Sequence, residues 1–179
     1  MAYCVIRTDG MSGTKQLADL RSLRFYGANG KPAEVENGTI VKLQGLEDGQ
    51  REIYKAVAAT ASDDLNDCVV VAGDEVPYDE RLKNLDRYIN EAGKAVRGYI
   101  LRSRNQFSIT KEGFVGGTVP SAKGAKVGVG TGGKLDTAGT NFGECSDIEV
   151  AGRYTYYTIT IGKTEAAAAS STVTPGSGD

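Results

Sequence analysis

The chain has 179 residues, 40% of them hydrophobic and 25% charged, and a net charge of −2. That length suits one domain, or one domain with an extension, and enough apolar residues are present to bury a core. The charge gives no basic field for a phosphate backbone, the longest apolar run falls far short of the ~20 residues of a membrane span, and no three-residue repeat organises the 24 glycines into collagen.

The opening MAYCVIRTDG lacks the charged start and apolar stretch of a secretory signal. Histidine is absent, which removes the commonest general base and the commonest metal ligand. Cys4, Cys68 and Cys145 are widely separated and lack CxxC spacing, so neither a disulfide framework nor a zinc site is expected. These features weigh against an enzyme, and no cofactor or metal is expected.

Residues 1–36 read as an extended N-terminal arm. VIRT suits one strand, and Leu17, Leu20 and Leu23 give one apolar edge, while Gly10, Gly13, Gly27, Gly30 and Pro32 interrupt longer elements. Such an arm buries its leucines on its own domain or lies on a neighbour. From Asn37 to residue 162 a β-rich core domain is expected. NGTIVKLQGL, with Ile40 on one parity and Val41 and Leu43 on the other, pairs with REIYKAVAA in a hairpin turning near Glu47–Gln50. DCVVVAG is a continuous β-branched run of the kind covered on both faces. DERLKNLDRYIN, from Asp79 to Asn90, places Leu82, Leu85 and Ile89 at helical spacing and predicts one short amphipathic helix closed by Gly93. The alternative there is an irregular loop that docks the same three side chains. KAVRGYILRS, FSIT, AKVGV and GKLDT read as further strands, and SDIEVAGRYTYYTITIG as one long final strand. Residues 163–179, TEAAAASSTVTPGSGD after Lys163, form a low-complexity tail expected to be flexible alone. The fold class expected is mainly β, a small barrel or sandwich-like domain.

KVGVGTGGKLD matches a dinucleotide glycine pattern (Gly128, Gly130, Gly133) and most of a phosphate-binding loop ending at Lys134. Leu135 stands where a magnesium-binding hydroxyl is required, and no helical periodicity follows to present amides to a phosphate. A glycine turn between two short strands explains the residues. The adjacent acid pairs Asp63-Asp64, Asp79-Glu80 and Glu47-Asp48 read as solvated loops rather than paired catalytic carboxylates. Arg97, Arg102, Arg104 and Lys111 make a basic strand pair, either a complement to an acidic partner or an ordinary charged face. The tyrosines of RYTYYTI suit a carbohydrate site, an interface or plain packing on a sheet.

Four blocks in order carry a resemblance: the opening MAYCVIRTDGMSGT, then ENGTIVKLQGLEDGQREIYK, then YDERLKNLDRYINEAGKAVRGYIL, and the glycine-rich GAKVGVGTGGKL. Together they resemble the head decoration, or cement, proteins of tailed bacteriophages. The resemblance implies a structural virion protein without an active site. It would lie on the capsid exterior and bridge major capsid protein subunits, with other copies of itself as further partners, and without direct nucleic acid or membrane contact. Partner contacts are then expected from the arm (Val5, Ile6, Arg7, Leu17, Leu20) and from the YDERLKNLDRY segment (Tyr78, Asp79, Arg81, Arg87, Tyr88). Alternatives are a tail-tube or other minor virion protein, or a virion-displayed module that binds glycans or a receptor.

Overall fold

The computed structural model describes residues 2–11, 19–75 and 84–162. Among these the chain is mainly β, with eleven strands and single 3-10 turns between them. Five strands close a barrel: β2 (Leu20–Phe25), β4 (Ile53–Ala58), β3 (Ile40–Leu46), β5 (Cys68–Val71) and β6 (Val96–Ile100), in that spatial order. The other six form an open sheet in the order β1 (Ile6–Arg7), β7 (Gln106–Ile109), β11 (Tyr154–Ile161), β10 (Gly143–Ala151), β8 (Lys126–Val129) and β9 (Leu135–Asp136).

The β-branched run of β5 explains how the two parts join. Alternate side chains of a strand point to opposite faces. Val69 and Val71 enter the barrel interior with Leu23, Val41, Ala56 and Val96. Cys68 and Val70 face the other way, into a second core shared with Ile40, Tyr99, Phe107, Ile109, Ile159 and Ile161. All four residues of β5 are buried, so this strand is covered on both faces, as its composition predicts. Each buried valine contributes about 1.5–3 kcal/mol over an exposed one, and the shared core makes barrel and sheet one body.

The N-terminal region supplies both sheets. Cys4, Val5 and Met11 are buried, and β1 is the sheet's edge strand, with Ile6 opposite Ile109 and Arg7 opposite Ser108. β2 closes the barrel by pairing parallel to β4 and antiparallel to β6. The described part of residues 1–36 is therefore built into its own domain. The predicted hairpin of β3 and β4 forms, with Leu43 opposite Ala56.

Two expectations are corrected. The final β-rich run is a hairpin, with Ala151 opposite Tyr154 and Gly152 taking a positive φ of 61° at the turn. The helix expected over Asp79–Asn90 is not formed in its described half, residues 84–90, which holds one 3-10 turn at Leu85–Arg87 with extended Asn84 and Tyr88 on either side. Asn90 exchanges backbone hydrogen bonds of 3.1 Å with Val35 in both directions, which commits its amide to a bridge and not to a helix. Leu85, expected on the apolar face, is exposed.

Of the three acidic pairs, Asp79-Glu80 lies outside the described residues, and the other two hold their own loops. Glu47 accepts hydrogen bonds from Arg24 and Tyr26. Asp63 accepts from Lys42 Nζ at 2.6 Å and from the Thr60 amide and hydroxyl at 2.8 Å. The Lys42 ammonium, helped by Thr60, holds the Asp63 carboxyl down to about 2, below the usual carboxylate value of about 3.9. A depressed carboxyl stabilises the fold above its unfolded pKa, and that contribution disappears as pH falls from about 4 to about 2. The melting temperature of Asp63→Asn is accordingly expected to fall less steeply over that window than that of the parent. Parallel melting curves of the two proteins across it would refute this assignment.

Candidate partner interface

Of the residues expected to meet a partner, Leu17, Tyr78, Asp79 and Arg81 lie outside the described residues. Val5 is 1% exposed, with its amide on Thr110 Oγ1 at 3.2 Å and its carbonyl accepting from the Thr110 amide at 3.1 Å; this corrects its assignment to a contact surface. Ile6 packs against the shared core, on the inner face opposite Ile109. Arg7 lies on the outer face, Arg87 is exposed, and Leu20 and Tyr88 are half-buried in the walls of one cleft. Arg7 thus lies on the outer face of the sheet, and Leu20 and Tyr88 line a cleft on the barrel.

The first surface is the outer face of the open sheet. Strand register aligns Arg7, Ser108, Thr158 and Asp147 across β1, β7, β11 and β10. Ser108 and Thr158 share a 2.9 Å hydrogen bond, Gln106 donates to Thr160 Oγ1 at 2.9 Å, and Lys126 pairs with Glu144 at 2.8 Å. Towards the β10–β11 turn the face becomes rich in tyrosine and arginine. The Arg7 guanidinium lies 5.0 Å from the Tyr156 ring centre and 3.1 Å from Glu149. Arg153 lies 4.8 Å from the Tyr154 ring centre and 2.7 Å from Asp86. The two rings meet edge-on at 6.0 Å. The result is a row, Glu149–Arg7–Tyr156–Tyr154–Arg153–Asp86, in which each cation is held by both a carboxylate and an aromatic face. Burial raises the Tyr156 phenol above its ordinary pKa. At the end of this hairpin Val150 is 75% exposed on the opposite face, where it stands across from Thr155. Tyrosines and arginines held rigidly in this way are enriched at interface centres.

The second surface is an open cleft of about 870 Å³ on the barrel wall. The ends of β2, β4 and β6 meet there because β2 pairs with both neighbours, placing Ser22 opposite Ile53 on one side and Arg97 on the other. Its walls carry Arg21, Arg51 and Arg97, the carboxylate of Asp74, and the rings of Tyr54 and Tyr88. Its floor is fixed by a buried amide network. Asn37 accepts from the Gly73 amide at 2.8 Å, and Asn90 Nδ2 donates to Asn37 Oδ1 and to the Val35 carbonyl, both at 2.9 Å. Asn37 Nδ2 in turn reaches the Gly73 carbonyl and Glu75, both at 3.2 Å.

The features that suggest enzymatic chemistry have other occupations. All three thiols are buried; burial pushes Cys4 and Cys68 up to about 12 and raises Cys145 as well, the environment of inert structural cysteines. The glycine-rich stretch forms the predicted turn, with Val129 opposite Leu135. Lys134 Nζ is engaged by Glu36 at 3.2 Å and by the Glu112 carbonyl at 2.9 Å. Of the four basic residues read as a strand pair, Arg97 pairs with Asp74 and Arg102 with Asp19.

Sequence reasoning marked Arg7, Leu20, Tyr88, Arg97, the segment that holds Asp86, and the tyrosines of β11. It missed Arg21, Arg51, Glu149 and Arg153, whose grouping with them depends on strand pairing, turn geometry and barrel closure. No family model, no curated protein and no solved structure matches the chain.

Proposed function

We propose that the protein is a structural component of a tailed-bacteriophage virion that binds the outer surface of the capsid and bridges neighbouring major capsid protein subunits. One observation carries the reading: a single body presents two tyrosine- and arginine-bearing surfaces, one on its sheet and one on its barrel. A bridge needs two contacts held at a fixed separation, and the core shared by barrel and sheet provides that rigidity. The four sequence blocks that resemble decoration proteins support the same reading. An interface of ~1,600 Å² split between two neighbours suffices, because repetition over a shell adds avidity.

The test uses empty expanded capsids that lack the protein. Purified full-length chain added at micromolar concentration is expected to co-sediment with the shells and to raise their melting temperature. Arg153→Glu, which reverses the charge at the hairpin end, is expected to weaken binding about tenfold or more. Failure to co-sediment at that concentration would sink the proposal.

A further inference from the structure

We infer that the barrel cleft is a groove for an extended, acidic segment of a polypeptide partner, whose carboxylates pair with Arg51 and Arg97 while its side chains lie along Tyr54 and Tyr88. This rests on the capsid-bridging reading only for the identity of the partner; the chemistry of the groove stands by itself.

Charge comes first. Among the described residues, three guanidiniums and two carboxylates, Glu52 and Asp74, line the cleft; Arg21 is engaged elsewhere, so the guanidiniums offered to a ligand are Arg51 and Arg97. Arg51 is exposed, and among the described residues its side chain has no partner. Arg97 holds Asp74 through two hydrogen bonds of 3.1 and 3.4 Å, with Asp74 70% exposed. A solvated pair of this kind is weak, so an incoming carboxylate can replace Asp74 on Arg97 and engage Arg51 at the same time.

Shape and rigidity narrow the ligand. An open cleft of about 870 Å³ is much larger than a single inorganic anion requires, and its charges come from β2, β6, the segment before β4 and the segment after β5. The Asn37–Asn90 network fixes the floor at Gly73, and Tyr54 is packed against the barrel core. A preformed wall of this kind costs little ordering on binding. A continuous phosphate backbone fits worse, because Glu52 and Asp74 share the cleft with the arginines and repel it. A peptide can place carboxylates opposite the arginines and leave neutral residues opposite the acids.

The experiment uses the full chain and a fluorescent peptide alternating glutamate and alanine over about ten residues, an extended length of about 33 Å. Saturable binding by anisotropy is expected, suppressed by added salt and about tenfold weaker in Arg51→Glu. Tyr88→Ala is expected to weaken it less, and Arg153→Glu, on the other surface, not at all. Among the described residues Arg51 has no partner to lose, so Arg51→Glu is expected to melt like the parent; if it does not fold, Ser22→Glu, an exposed position in the same cleft, replaces it as the readout. No binding up to millimolar peptide, an undiminished affinity in the folded variant, or preference for a lysine–alanine peptide or an oligothymidine would overturn the inference. Peptide binding without capsid binding would defeat the virion reading alone, whereas capsid binding unaffected by Arg51→Glu and Ser22→Glu would defeat this one alone.

Discussion

Gly133→Ala is expected to destabilise the protein by about 3 kcal/mol or more, which for a chain of this size lowers the melting temperature by roughly 10 °C. Two costs combine. Gly133 has φ of +73°, a conformation that strains any residue with a Cβ by about 1–2 kcal/mol. The added methyl would also lie 2.1 Å from the Ile40 carbonyl oxygen and 3.0 Å from Thr39 Cγ2. The oxygen belongs to the backbone of β3 and cannot rotate away. It already accepts the Ala59 amide at 3.0 Å, so retreat breaks a hydrogen bond at the barrel wall. Movement of the turn instead pulls Lys134 from Glu36 and the Glu112 carbonyl. Gly132→Ala is the control, since Gly132 has φ of +70° but nothing within 4 Å of the added methyl. Its loss should be limited to the conformational cost of about 1–2 kcal/mol. Equal thermal shifts in the two variants would show that the close approach of turn and barrel contributes nothing.

That glycine also shows what could be learned before the fold. The pattern around Gly128, Gly130 and Gly133 excludes a phosphate loop from local features alone, namely Leu135 and the missing helix. What it cannot show is why a glycine is needed, because Ile40 lies far away in sequence and is brought there by packing. The same division holds elsewhere. The β3–β4 hairpin and the doubly covered β5 are legible because turn chemistry and side-chain composition are local. Closure of the barrel is not, since β2 pairs in parallel with a strand two places later. The break at Gly152 is hidden between strong β formers and lacks an Asn-Gly or Asp-Gly signal. The spacing of Leu82, Leu85 and Ile89 argues for a helix, and the Val35–Asn90 bridge overrides it in the described half. For the interface, tyrosines in β11 are visible as a type. The placement of Arg7 over the Tyr156 ring follows from register across three strands, whereas Arg153 meets the neighbouring Tyr154 ring because the turn at Gly152 sets it there.

Asn37→Ala is expected to cost about 3 kcal/mol, and to do so through unpaired donors rather than lost packing. Asn37 is 1% exposed, and its Oδ1 accepts both the Gly73 amide and Asn90 Nδ2. Removing it strands both contacts in a buried site, each worth about 1–3 kcal/mol when unsatisfied, although Asn90 keeps its bond to the Val35 carbonyl. Asn37→Asp separates acceptor from donor. The new carboxylate retains an acceptor for both groups but loses the donor to the Gly73 carbonyl and to Glu75. It also stands beside Glu75, whose carboxyl is already raised by burial. Two carboxylates sharing that site disfavour double ionisation, so at least one titrates above its ordinary range in the folded protein. A raised carboxyl binds its proton more readily when folded, so the variant gains stability relative to the parent as pH falls through that value. Asn37→Asp is therefore expected to be strongly destabilised at neutral pH and to recover part of the loss under mildly acidic conditions, while Asn37→Ala is not. Thermal melts of both variants between neutral and mildly acidic pH check this, and the same loss in Asn37→Asp at every pH would show that Glu75 does not share the site. Because this network fixes the floor of the barrel cleft, both variants are also expected to lose affinity for an acidic peptide below their melting temperatures, which ties the polar core of the barrel to the surface it supports.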